Sequence, residues 1–537
     1  MTQPHCRRLL ALLSLCILGS VSALAFAQDD DEAVIETPPA FVVYPDESAV
    51  TYHTTTINGQ AIHYQATAGT ITLAKLSGEH EPTAQMFYIA YHKLDAPFDP
   101  ETNPEAEPEA EPTAQPTFPD PASRPITFSF NGGPGSSSVW LHLGVFGPQR
   151  VNPIDDFGNP GPPPYALVEN EYSLLDQSDF VFIDPIATGY SRAAKDNNPK
   201  DFHGVSQDIK SVAEFIRIYL GKEQRWGSPK YIAGESYGTT RAAGLVDELQ
   251  STHGISLNGV VLISAIMNFQ TARFDVGNDL PYPLYLPSFA ATARFHERLS
   301  SKYQRMDIER FMKEVEAFAM NDYTLALAQG DQLSDNDRSK IADKLATYTG
   351  LSKDYVLQTN LRINMPRFPK ELLRDQGETV GRLDSRFKSW DRDDAGDSYE
   401  FDPSYAAIQS IYTESMNAYL RQDLNYASDM RYEILTSVWP WSYRGVGDNQ
   451  YLNVAERLRK AMHKLPYMKV FVANGYYDLA TPYFATQYTI NHMFLRPQVR
   501  DNISMHYYEA GHMMYAQRDM LAKLKADLDG YYQSRTE

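Results

Sequence analysis

Apolar residues recur in two rhythms along this 537-residue chain, and each rhythm predicts one kind of element. Short runs rich in β-branched and aromatic residues, bounded by turn formers, predict strands, whereas recurrence every three or four positions predicts helices. Between Ala49 and Leu94 the runs Ala61-Ile62-His63-Tyr64, Ile71-Thr72-Leu73 and Met86-Phe87-Tyr88-Ile89-Ala90 predict antiparallel hairpins. The runs from Ile126 to Phe130, Phe180 to Ile183, Lys230 to Ala233 and Val260 to Ile263 predict strands buried on both faces. Val205, Ile209, Val212, Phe215, Ile216 and Tyr219 keep helical spacing, and Gly221 supplies a stop signal.

From Arg273 to Tyr443 the pattern turns helical and irregular, with Phe311, Val315 and Phe318 on one stripe. Strand runs return at Met468 to Ala473 and Ile503 to Tyr508, and a last amphipathic helix follows through Leu521, Leu524, Leu528 and Tyr531. Strands alternating with helices imply a mostly parallel central sheet covered by helices on both faces. The expected organisation is a core at 49–272, a helical cap insertion at 273–443 and a second core part at 444–537.

Two segments stand outside this pattern. Arg7 and Arg8, an apolar run from Leu9 to Leu18 and Ala25-Phe26-Ala27 have the order of a secretory signal, so 1–27 is expected to be removed and 28–48 to be a flexible N-terminus. Between Pro97 and Pro125, prolines interleave with Glu105, Glu107, Glu109 and Glu111, a composition that favours a solvated loop. Both cysteines, Cys6 and Cys16, lie within the signal, so the expected mature chain has no disulfide and suits a bacterial periplasm or culture medium. The formal charge of −20 argues against nucleic-acid binding, which depends on Lys and Arg neutralising phosphates. No second apolar run is long enough to cross a bilayer, so no membrane association is expected after signal removal.

The chemistry centres on Gly234-Glu235-Ser236-Tyr237-Gly238, which joins the strand Lys230-Tyr231-Ile232-Ala233 to a helical run from Thr240 to Leu249. A strand, sharp turn and helix at Gly-x-Ser-x-Gly make a nucleophile elbow, the signature of the α/β-hydrolase fold. A serine hydroxyl needs a base to take its proton, and the base needs a carboxylate to hold its tautomer. In this fold the acid and the histidine follow the serine in that order. Asp478 lies just past the strand Val470-Phe471-Val472-Ala473, and His512 lies past the next, after Glu509-Ala510-Gly511. His506, the nearest rival base, falls inside the strand pattern instead. For the oxyanion, Asn131-Gly132-Gly133-Pro134-Gly135 follows the strand ending at Phe130, where the first backbone donor belongs, and the Tyr237 amide is the second.

Taken together, Asn131-Gly132-Gly133-Pro134-Gly135-Ser136-Ser137-Ser138, Asp184-Pro185 through Gly189-Tyr190-Ser191, the Gly234 to Gly238 elbow, Asn474-Gly475-x-x-Asp478 and Gly511-His512-Met513 resemble the serine carboxypeptidases. The resemblance implies release of C-terminal residues from peptides without a metal or other cofactor, with Ser236 as nucleophile, His512 as base and Asp478 as its orienter. It implies Gly133 and Tyr237 as oxyanion donors, and Asn131 and Glu235 as residues that hold the substrate's terminal carboxylate. A second glutamate of that family's pattern falls on Val145, Ser136 stands at a common cysteine position, and Tyr515 stands where proline often follows the histidine motif. The alternatives are an aminopeptidase, an esterase or an acyltransferase with the same triad, or a binding protein that has lost turnover. Oligomeric state is not legible. Asp391-Arg392-Asp393-Asp394-Ala395-Gly396 lacks ligands that a calcium loop requires and is expected to be a solvated acidic loop. Trp439-Pro440-Trp441 is expected to be packed, with the lining of an apolar substrate pocket as the alternative, and no His-Glu-x-x-His zinc motif or phosphate-cradling loop occurs.

Overall fold

The computed structural model describes residues 46–75, 81–99, 115–153, 155, 158–444, 446–447 and 449–534. The expected signal, nearly all of 28–48 and the 100–114 part of the Pro/Glu-rich stretch lie outside the described residues. Among the described residues ten strands form the main sheet: β1 (Ser48–Ile57), β2 (Gln60–Ala74), β3 (Pro82–Lys93), β4 (Ile126–Phe130), β5 (Asp179–Ile183), β6 (Arg192–Ala193), β7 (Lys230–Glu235), β8 (Gly259–Ile263), β9 (Lys469–Gly475) and β10 (Ile503–Tyr508). Their order is β1-β2-β3-β5-β4-β7-β8-β9-β10, with β6 beside β3. The first three strands and the β3–β5 pair are antiparallel. From β5 to β10 every neighbour is parallel. The two expected runs at Ala61 and Ile71 are one continuous strand, β2, because the Gln65 to Thr70 stretch between them keeps pairing with β3 without a turn.

The helices are α1 (Val205–Lys222), α2 (Tyr237–Thr252), α3 (Pro281–Phe295), α4 (Ile308–Phe318), α5 (Asp335–Thr349), α6 (Pro403–Gln422), α7 (Ala455–Lys464), α8 (Tyr483–Asn491) and α9 (Arg518–Gln533), with shorter turns between them. Parallel strands need such crossovers, and their continuous apolar runs follow from being covered on both sides. Side chains alternate across the sheet. Ile232, Val260, Leu262, Val470 and Val472 join the core under α1, α2 and α7. Tyr231, Ala233, Val261, Ile263, Phe471 and Ala473 join the opposite core with α6, α9 and the Val139 to Phe146 stretch. This arrangement of a mostly parallel sheet with an elbow after β7 is the α/β-hydrolase fold.

The long connection from β8 to β9 has its own core. Leu284, Phe289, Phe311, Val315, Leu345 and Tyr348 of α3, α4 and α5 pack together with Tyr476, Tyr477 and Tyr483 beyond β9. α6, later in the same connection, packs on the sheet instead, through Ile408, Tyr412, Met416 and Tyr419. The acidic loop at Asp391 departs from the expectation of full solvation: the Asp391 carboxylate is buried, accepting from Lys370 Nζ at 2.6 Å and from the Thr379 hydroxyl at 2.9 Å. A buried cation of the insertion thus needs a fixed anion, which explains the aspartate there.

Candidate active site

The elbow is strained. Ser236 has φ 58° and ψ −129°, a region that side-chain-bearing residues rarely occupy, and it stands between the end of β7 at Glu235 and the start of α2 at Tyr237. Its amide donates to the Ile263 carbonyl at 3.0 Å, and the Thr239 amide and hydroxyl donate to its carbonyl, so neighbouring backbone fixes the turn. A Cβ at Gly234 would lie 2.3 Å from the Gly238 carbonyl oxygen, and one at Gly238 would lie 2.8 Å from that of Phe130. Both motif glycines are therefore demanded by close backbone approach. Ser236 itself is half-buried.

Asp478 and His512 meet. His512 Nδ1 donates to Asp478 Oδ2 at 2.7 Å, with both side chains buried. The other carboxylate oxygen, Oδ1, accepts from the amides of Ala480 at 2.8 Å and Thr481 at 2.9 Å. The Thr481 hydroxyl donates to Oδ2 at 2.7 Å and lies 3.2 Å from His512 Nδ1. Burial pushes the Asp478 carboxyl upward, but the charge and hydrogen bond of His512 and the Thr481 donors outweigh it and hold the carboxyl below its ordinary range. Burial disfavours the His512 cation, yet the Asp478 charge and hydrogen bond, with Glu235 adding to them, raise the imidazole above its ordinary value.

Ser236, Asp478 and His512 follow the carboxyl ends of β7, β9 and β10, and β8 between them supplies Ser264. Its hydroxyl donates to the His512 carbonyl at 2.6 Å, and its own carbonyl accepts from Thr481 Oγ1 at 3.0 Å. A strap from the insertion holds the same two loops. The His512 amide donates to the Leu383 carbonyl at 2.6 Å, the Leu479 amide to the Arg382 carbonyl at 3.0 Å, and the Gly511 amide to Asp384 Oδ2 at 3.1 Å. Asp402, ahead of α6, accepts from the Arg382 and Leu383 amides and so anchors the strap.

The 131–135 loop, expected to donate to the oxyanion, abuts the elbow. A Cβ at Gly132 would stand 2.4 Å from the Tyr237 amide nitrogen, so the Asn131-Gly132-Gly133 turn and the first amide of α2 share one wall. That amide has no partner within its own helix, which leaves it free for an oxyanion. Gly133 takes φ 99°, open to glycine. Arg241, fully buried, donates to the Asn131 carbonyl at 2.6 Å while paired with Asp208 at 2.8 Å, and so ties the loop to α1 and α2.

Beside Ser236, Asn131 Nδ2 donates to Glu235 Oε2 at 2.5 Å and the Tyr515 hydroxyl donates to the same oxygen at 2.7 Å. Burial pushes the Glu235 carboxyl up to about 7, against the downward pull of His512, Tyr515 and Asn131. A carboxyl raised in the fold contributes stability that is complete below its unfolded value of 4.5 and is lost as pH rises through about 7. Glu235→Gln is accordingly expected to raise the unfolding free energy at pH 8 by roughly 2 kcal/mol and to change it little at pH 5, as read by denaturant titrations at the two pH values. Val145, buried in the turn from His142 to Phe146, supplies no second acid.

Residues 113–525 match the serine carboxypeptidase family, Peptidase_S10. The chain belongs to that family. It is 27% identical over 159 residues to serine carboxypeptidase-like 46 of Arabidopsis thaliana, covering 28% of this chain and 31% of that protein. It is 30% identical over 135 residues to the pheromone-processing carboxypeptidase KEX1 of Yarrowia lipolytica, covering 25% and 20%. Carboxypeptidase Y of Saccharomyces cerevisiae is 29% identical over 126 residues, 22% of this chain and 20% of that one. The matched stretches thus span between a fifth and a third of these relatives' lengths. The crystal structure of a prohormone-processing carboxypeptidase, KEX1(delta)p of Saccharomyces cerevisiae, is similar with a TM-score of 0.49 at 15% identity, covering 88% of this chain and 91% of that one.

Sequence reasoning did not single out Thr481, Ser264, Arg241 or the 382–385 strap. Thr481 had a local signal, since an aspartate accepting from amides two and three residues on is an Asx-type turn that the Asp-Leu-Ala-Thr-Pro string favours. The others depend on contacts between distant segments.

Proposed function

We propose that this serine carboxypeptidase family member is an active, exported enzyme that removes C-terminal residues from peptides through an acyl-enzyme. The observation that carries the reading is the buried His512–Asp478 pair at the sheet edge that also bears the strained Ser236, with the Asn131–Glu235 pair one residue from the nucleophile. His512 Nε2 takes the Ser236 proton as Oγ attacks the scissile carbonyl, and the Gly133 and Tyr237 amides receive the oxyanion. His512 then protonates the leaving amine, and water, deprotonated by the same imidazole, releases the acyl group. Asn131 and the neutral Glu235 carboxyl hold the substrate's terminal carboxylate, an anion that an ionised Glu235 would repel. Export by removal of 1–27 belongs to the same proposal.

Free-acid, C-amidated and N-blocked versions of one peptide, digested and followed by mass spectrometry, test it. Single residues are expected to leave the free C-terminus of the first and third peptides, and amidation is expected to slow release at least tenfold. Release from the amino end, or equal turnover of amidated peptide, would sink the carboxypeptidase reading in favour of an aminopeptidase or an esterase.

A further inference from the structure

The Glu235 carboxyl is partnered on one side only. Oε2 accepts from both Asn131 and Tyr515, whereas Oε1 is buried and makes no hydrogen bond among the described residues. An oxygen that already accepts two donors keeps carbonyl character, so the proton of the neutral acid belongs on Oε1. Tyr515 is fixed by packing. It sits in the turn from Met514 to Ala516, fully buried, and a Cβ at Gly144 would come within 2.5 Å of its ring.

The groups that face Glu235 come from every neighbouring element. Asn131 comes from the loop after β4, His512 and Tyr515 from the segment after β10, Asp478 from the loop after β9, and Tyr412 from α6. Tyr412, whose hydroxyl is buried and without a hydrogen bond among the described residues, keeps its proton through burial first, and the nearby Glu235 charge adds to that. Among these neighbours Asn131 and Tyr515 alone donate to the carboxylate, and Tyr515 is the phenol that does so. Asn131 is itself held by the Leu141 amide, which donates to its Oδ1 at 3.0 Å, so its amide group cannot rotate to follow the acid. The orientation of Glu235 therefore depends on Tyr515 as well.

We propose that Tyr515 is a positioning residue of the terminal-carboxylate site: by pinning Glu235 Oε2 it leaves the proton on Oε1 for the substrate, and it sets the upper pH at which a free C-terminus is bound. This rests on the carboxypeptidase reading above. The Tyr515 hydrogen bond favours the charged form of Glu235 and so draws its pKa down from where burial alone would put it. Replacing the phenol by phenyl removes that stabilisation, and Glu235 then stays protonated to higher pH. The hydroxyl accordingly sharpens orientation at the cost of range.

The test is kcat/KM against pH for an N-blocked dipeptide with a free carboxyl, in the wild type, Tyr515→Phe, Glu235→Gln and the double variant, since this ratio titrates the free enzyme. Tyr515→Phe is expected to move the falling limb up by about one pH unit, and to raise KM severalfold at low pH with kcat within about twofold. Glu235→Gln, whose amide donates at any pH, is expected to abolish the falling limb, and adding Tyr515→Phe to it should shift nothing. A limb that stays in place or moves down in Tyr515→Phe, or a shift that persists in the double variant, overturns the proposal. Should Tyr515→Phe fail to fold, 3-fluorotyrosine at 515, whose more acidic hydroxyl donates more strongly, is expected to move the limb down, and an unmoved limb then overturns it equally. A wild type that a fluorophosphonate labels at Ser236 but that spares the dipeptide at every pH overturns the reading beneath, a result distinct from an unmoved limb in an enzyme that turns the dipeptide over.

Discussion

Ser236→Ala is expected to reduce peptide turnover by about 10⁶-fold, to the level left by binding and the oxyanion donors, while leaving the folded state unchanged. The asymmetry follows from which atoms do which job. The bonds that hold the elbow run from the Ser236 amide to Ile263 and from Thr239 to the Ser236 carbonyl, and alanine keeps all of them. Alanine also carries the same Cβ at φ 58°, so the strain stored in the turn is neither relieved nor increased. The measurement is a pair: kcat on a free-acid peptide, and unfolding of both forms in urea. Loss of fluorophosphonate labelling with an unchanged unfolding midpoint would identify Ser236 as the acylated atom's owner. Residual turnover within a hundredfold of wild type would mean that another group attacks the substrate, and the proposed mechanism would fall.

The sheet and the elbow were legible because their signals are local. Apolar runs bounded by turns predict parallel strands, and Gly-x-Ser-x-Gly between a strand and a helix has few other uses. Position past the end of the strand pattern allowed His512 to be chosen over His506, whose ring in the structure stacks on Phe471 and whose Nδ1 lies 3.5 Å from Asp527. The continuity of β2 was hidden because Gln65, Thr67 and Thr70 interrupt its apolar run, and only pairing with β3 carries the strand across them. The strap at Arg382–Ser385 and the Arg241–Asp208 pair were hidden for a deeper reason. Their partners are 19 to more than 100 positions away, and no periodicity encodes such a meeting. Tyr515 lies between these cases, visible as a departure from a motif but given meaning only by its contact with Glu235.

Asp478→Asn is expected to cost about 10⁴-fold in kcat, although it changes one atom. The reason lies in the two amides that fix the carboxylate. Ala480 and Thr481 donate to Oδ1, so an asparagine must put its carbonyl oxygen there and turn its amide nitrogen toward His512. His512 Nδ1, which donates to a carboxylate at 2.7 Å, would then have to accept from that nitrogen. An imidazole that accepts at Nδ1 carries its proton on Nε2 and has no lone pair there for the Ser236 hydroxyl. Losing the anion also removes the main attraction that raises His512, so the imidazole is expected to titrate at lower pH. The expected signature is therefore a large loss of kcat at pH 6 to 7, a small change in KM, and partial recovery at high pH, where hydroxide or another base can act. Measured kcat within tenfold of wild type would show that the amides do not dictate the orientation at 478, and that the imidazole keeps its tautomer by other means.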